Sequence, residues 1–90
     1  MTIMSMIRYF LELPTRLNIR KDCNELVKKS ENKYAHIEND RERAKWVLEN
    51  FKRHCYEDIW RKKYQDSLTL FEEERSRMIH KIARVIFSGK

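Results

Sequence analysis

The sequence predicts an all-α protein: an antiparallel three-helix bundle with a C-terminal fourth helix or helical extension. Two observations carry this. Glycine and proline occur once each in 90 residues, so the residues that punctuate a chain are almost missing. Apolar side chains recur three and four positions apart along most of its length, the period of a helix buried on one side. The few stops fall at Pro14, at the polar stretch 36–40 and at Asp66-Ser67.

The first helix is expected over residues 2–13. Ile3, Ile7, Phe10 and Leu11 form its apolar face, and Thr2 or Ser5 caps its start. Pro14 closes it, because proline disfavours helix in the residue before it. The second helix is expected over residues 18–35, with Ile19, Cys23, Leu26, Val27, Ser30 and Tyr34 on one stripe. Residues 36–40 form a polar connector in which Asn39 or Asp40 serves as N-cap.

The third helix begins near Asp40, with Ala44, Val47, Leu48, Phe51, Cys55, Ile59 and Lys62 along one side. Trp46, Tyr56, Trp60 and Tyr64 widen its apolar surface toward a second neighbour. A break at Asp66-Ser67 separates it from a last helix over residues 67–87. The alternative is one helix running from residue 40 to 87, about 70 Å long. In the last helix Leu68, Phe71, Met78, Ile79, Ile82, Val85 and Ile86 form the apolar face. Thr69 and Glu72 have capping-box spacing, and Glu72-Glu73-Glu74 lies in the first turn, where negative charge suits the helix dipole. The chain thus divides into a core over residues 1–66 and a C-terminal helix over 67–90 whose apolar face is available to a partner.

Ninety residues bury only about 60–65% of their unfolded surface, so the core is small. Two cysteines are too few for a disulfide framework, and Cys23 and Cys55 read as small buried side chains in a reducing compartment. A Cys23–Cys55 bridge between adjacent helices is the sharper alternative. The net charge of +6 suits an acidic partner: nucleic acid, an anionic membrane surface or an acidic protein. No run approaches the roughly 18–20 apolar residues of a membrane span, and no secretory signal pattern is present. Arg8, Arg16, Arg20 and Lys21 on an amphipathic pattern do resemble a mitochondrial targeting segment.

Catalysis is not indicated, since there is no glycine-rich phosphate loop and no nucleophile–base spacing. His54 and Cys55 are adjacent and point about 100° apart on a helix. His36, His54 and His80 are scattered, without the paired close ligands of a zinc site. The binding candidates are the basic stretches Arg20-Lys21, Lys28-Lys29, Arg41/Arg43/Lys45, Lys52-Arg53 and Arg61-Lys62-Lys63. The interleaved aromatics could stack on bases, although at helical spacing they serve a core or a protein interface. Arg8 sits among apolar neighbours, where it snorkels toward solvent or holds a phosphate or carboxylate in its fork.

Met6-Ile7-Arg8 followed by Tyr9-Phe10-Leu11, then Leu13-Pro14-Thr15, Lys28-Lys29, the acidic connector Glu38 to Asp40, and Arg41 or Arg43 ahead of Trp60 resemble the small mitochondrial LYR-motif proteins. These are three-helix proteins named for a Leu-Tyr-Arg near the start of helix one. The likeness spans roughly residues 3–64, and only the arginine of the triplet is present. It implies a non-enzymatic accessory subunit or assembly factor of a mitochondrial complex, such as a respiratory complex, in the matrix or on the matrix side of the inner membrane. Its partner would be acyl carrier protein, met by Arg8, Lys28, Lys29, Arg41 and Arg43. The chain would bring no cofactor of its own; the carrier's acyl-phosphopantetheine group would enter a pocket of Ile7, Phe10, Leu11, Val27, Leu48 and Phe51. The rival expectation is a basic helical subunit of an organellar ribosome or another RNA-containing particle, with binding that falls steeply with salt.

Overall fold

The structure, a computed structural model, describes residues 3–87. They form α1 (Ile3–Lys33), α2 (Asp40–Cys55), a π-helical turn (Tyr56–Trp60), a short α3 (Arg61–Lys63) and α4 (Leu68–Phe87). There is no strand among the described residues. Helices α1, α2 and α4 all pack on one another.

Side-chain ties fix their directions. Ser30 meets Asn50 and Asp22 meets Tyr64, so α1 and α2 run in opposite senses. Arg16 and Arg20 meet Glu74, while Val27 and Lys28 lie beside Ile82 and Val85, so α1 and α4 run in the same sense.

The first two expected helices are one. α1 runs unbroken through Pro14 for 31 residues, and the bundle therefore has three long helices rather than three plus a fourth. Proline removes its own N–H donor, here the bond to the carbonyl four residues back at Phe10, and its ring crowds that carbonyl. Pro14 is exposed, so that carbonyl can turn to water. Residues 15–18 (Thr-Arg-Leu-Asn) supply no glycine to reverse the chain, and Arg16 and Arg20 tie the helix to α4 immediately beyond the proline. The proposed Thr2 cap lies outside the described residues, and Ser5 lies within the helix.

The connector behaves as expected. Asn39 caps α2, its side-chain oxygen accepting from the Glu42 N–H at 2.9 Å. The guanidinium of Arg43 donates back to the Ile37 carbonyl at 2.6 Å and pairs with Asp40, closing the α1–α2 turn.

Buried residues confirm most of the stripes: Ile19, Cys23, Leu26 and Ser30 on α1, and Ala44, Val47, Phe51, Cys55 and Ile59 on the next helical run. Lys62, expected on that stripe, is exposed. The π-turn holds one residue more per turn than an α-helix. It therefore rotates the buried line onto Tyr64, whose hydroxyl donates to Asp22 at 2.6 Å. The break expected at Asp66-Ser67 is present, since α3 ends at Lys63 and α4 starts at Leu68. Thr69 is inside α4 and is not its cap. The buried line of α4 is Phe71, Glu74, Met78, Ile82 and Ile86, and Leu68 is exposed.

One hydrophobic core joins the three helices. Phe51 and Phe71 are its largest wholly buried side chains. Tyr56 packs on Phe71 with ring centroids 5.2 Å apart, and Arg75 lies over the Tyr56 ring at 5.0 Å. Burial of this kind contributes roughly 1.5–3 kcal/mol per large apolar side chain.

Candidate functional site

Between the C-terminal half of α1, the start of α2 and the end of α4 lies an open groove of about 650 Å³. Val27, Ala44, Val47, Met78, Ile82 and Val85 form its apolar walls. Its rim is charged: Lys28 and Glu31 from α1, Asp40 and Arg43 from α2, and Lys81 from α4. Arg43 takes up Asp40, and Lys28 and Lys81 have no ion pair among the described residues. A ligand with an apolar tail and an anionic head matches this lining.

An ionic clamp lies outside the groove, nearer the start of α4. Glu74 of α4 is buried, and its carboxylate accepts from Arg20 at 2.7 Å and from Arg16 at 3.1 Å. Burial alone would raise its pKa; the hydrogen bonds from Arg20 and Arg16 more than reverse this and hold it below the usual carboxylate range. Glu73 adds a second acid to Arg16 at 2.8 Å. The acidic run was expected only to balance the helix dipole; Glu74 instead fastens α4 to α1. Its place three residues after Phe71 and four before Met78, on the stripe itself, is the signal that could have shown this.

The site residues expected from sequence are distributed over the molecule. Lys28, Arg43 and Val27 come together in the groove. Lys29 and Arg41 are exposed outside it, and Leu48 is half-buried against the core. Phe51 is wholly buried. Arg8, Ile7, Phe10 and Leu11 are exposed on the N-terminal part of α1, and Arg8 lies about 30 Å along the helix from Lys28. The six residues expected to line one acyl pocket therefore do not share one. Lys81 was missed, although its position beside Met78 and Ile82 marks it as the edge of a buried stripe.

The aromatic residues are mostly internal. Tyr64 is buried, Tyr56 and Trp60 pack on the core, and Trp46 is half-exposed but stacks on Tyr34 at 5.7 Å. Both cysteines are free and buried. Burial pushes the Cys23 thiol up to about 12. It also raises Cys55, even though Arg75 donates to its sulfur at 3.1 Å. Among the described residues no three His, Cys, Asp or Glu side chains gather as a metal site.

No protein-family model, curated protein or solved structure matches this chain.

Proposed function

We propose that this chain is a non-enzymatic accessory subunit or assembly factor of a mitochondrial multiprotein complex, and that it binds an acyl carrier protein. The observation that carries the reading is the groove between three helices, apolar within and edged by Lys28 and Lys81, which have no ion pair among the described residues, beside Glu31 and the Arg43–Asp40 pair. An acyl carrier protein offers the matching pair of features: an acidic surface and an acyl chain attached through a phosphate. The lysines meet the anionic groups, and each acyl methylene buried against Val27, Val47 and Ile82 contributes about 0.8 kcal/mol. The net charge of +6 favours encounter with such a partner. In this reading the carrier contact belongs to Lys28, Arg43 and Lys81, and Arg8 has no part in the groove.

Titration with acyl-loaded and unloaded carrier protein, followed by calorimetry, tests this. Acyl-loaded carrier binds more tightly than unloaded carrier, and the Lys28→Glu/Lys81→Glu variant loses at least about tenfold in affinity, since charge reversal at a contact costs more than 1.4 kcal/mol. Both lysines are exposed, so the variant folds. Equal affinity for loaded and unloaded carrier, an unchanged affinity in the Lys28→Glu/Lys81→Glu variant, or binding of RNA in place of carrier overturns the reading.

A further inference from the structure

Helix α1 is amphipathic twice, on opposite sides. At about 100° per residue, its buried positions Ile19, Cys23, Leu26 and Ser30 share one sector. Ile3, Met6, Ile7, Phe10, Leu11 and Leu17 centre on a sector about 180° away, pointing out from the bundle, and all six are 48–76% exposed. Over its full length α1 therefore has almost no net amphipathicity, because its two faces cancel. Toward the bundle side, the same N-terminal stretch carries Ser5, Arg8 and Glu12.

This stretch also extends past its neighbours. α1 has 31 residues and α4 has 20, and the start of α4 lies beside Leu11, Glu12 and Thr15. Every residue from 3 to 11 is exposed.

We propose that this N-terminal arm seats the protein on an anionic lipid surface, lying in the interface with its outward apolar face immersed. Three observations choose lipid over a protein groove or a second copy. First, the apolar arc from Tyr9 through Phe10 and Ile7 to Met4 covers about 220° of the helix, wider than the single seam one partner helix covers. Second, Lys21 continues the line of Ile3, Phe10 and Leu17, and Lys29, exposed, lies five turns beyond Leu11 at the same angle. A helix lying flat thus carries an apolar segment followed by cations at headgroup level. Third, a second copy would bring +6 against +6, whereas an anionic surface complements that charge. No described helix is long and apolar enough to cross a membrane, so the arm lies on the surface. Tyr9, half-exposed and edge-on to Phe10 at 6.0 Å, presents the amphipathic ring that favours this depth. The proposal is independent of carrier binding and can fail without it.

Co-sedimentation with phosphatidylcholine vesicles, with and without phosphatidylglycerol, tests it. The whole chain binds the anionic vesicles. Ile7→Glu/Phe10→Glu, exposed positions whose change leaves helicity and melting temperature intact, weakens this about a hundredfold. Lys21→Glu and Lys29→Glu each weaken it roughly fivefold on anionic vesicles and leave neutral ones unaffected. The proposal is overturned if the whole chain does not bind anionic vesicles, or if Ile7→Glu/Phe10→Glu binds them as well as the parent. It is equally overturned if those two residues instead mediate self-association in sedimentation velocity, or are protected by a protein partner in vesicle-free complexes.

Discussion

The Arg20 guanidinium donates to the buried Glu74 carboxylate at 2.7 Å, joining α1 to α4 at the point where α1 leaves the N-terminal arm and enters the bundle. Arg16 reinforces it from one turn earlier at 3.1 Å. The clamp lets the helix pass through Pro14 and still hold its register against α4.

Removing the acid leaves Arg20 without its ion pair beside an apolar stripe and Arg16 with Glu73 alone. Glu74→Ala is expected to destabilise the fold by about 2 kcal/mol, less than a fully buried pair because the arginines are partly solvated. Chemical denaturation measures this, and a loss within error of zero would remove the clamp from the account.

The same carboxylate makes stability depend on acid pH. Its folded pKa lies below the ordinary value of 4.5. The stabilisation is therefore present above that value and is lost as pH falls through the lower folded pKa. Melting temperature should drop below about pH 4.5, and by less in Glu74→Gln, which has no proton to take up there.

At alkaline pH the thiols act in the opposite sense. Cys23 rises from the ordinary 9.0 to about 12 in the fold. Its contribution is complete below 9.0 and declines as pH rises toward 12. In the native state both thiols should react with a disulfide reagent orders of magnitude more slowly than in urea, since the thiolate is the reactive form. Rapid native labelling would show that the core around Cys23 opens.

Pro14 is tolerated rather than required. Pro14→Ala restores the bond to Phe10 and should raise stability and helicity, by up to about 3 kcal/mol and by less if the arm frays. Unchanged helicity in circular dichroism would mean that the arm is not helical ahead of residue 14.

Much of this was readable in the residues. Ile19, Cys23, Leu26 and Ser30 repeat at helical spacing, Asn39 precedes a polar first turn, and Asp66-Ser67 interrupts two apolar stripes, so the core face, the cap and the break follow from local chemistry. The continuity of α1 was not readable, because a proline reads as a stop until the contacts that override it, from Arg16 and Arg20 to Glu74, are known. The rotation of the stripe from Lys62 to Tyr64 depends on one π-turn that no residue type announces. The groove was half legible: Lys28, Arg43 and Val27 were candidates, but only the packing of α4 brings Lys81 and Ile82 to them. Ile7 and Phe10 were correctly placed on one apolar face, and sequence alone could not show that this face points away from the core.

The central claim is that the Lys28–Arg43–Lys81 groove receives an acyl group carried by an acidic protein. Native mass spectrometry of the tagged chain purified gently from its own cells tests this most directly. The account predicts a one-to-one complex with a small acidic protein bearing phosphopantetheine and an acyl chain, lost in Lys28→Glu/Lys81→Glu and retained in Arg8→Glu. Purification with RNA or with other subunits but no carrier, or a carrier complex that Arg8→Glu abolishes and the lysine variant keeps, would contradict it.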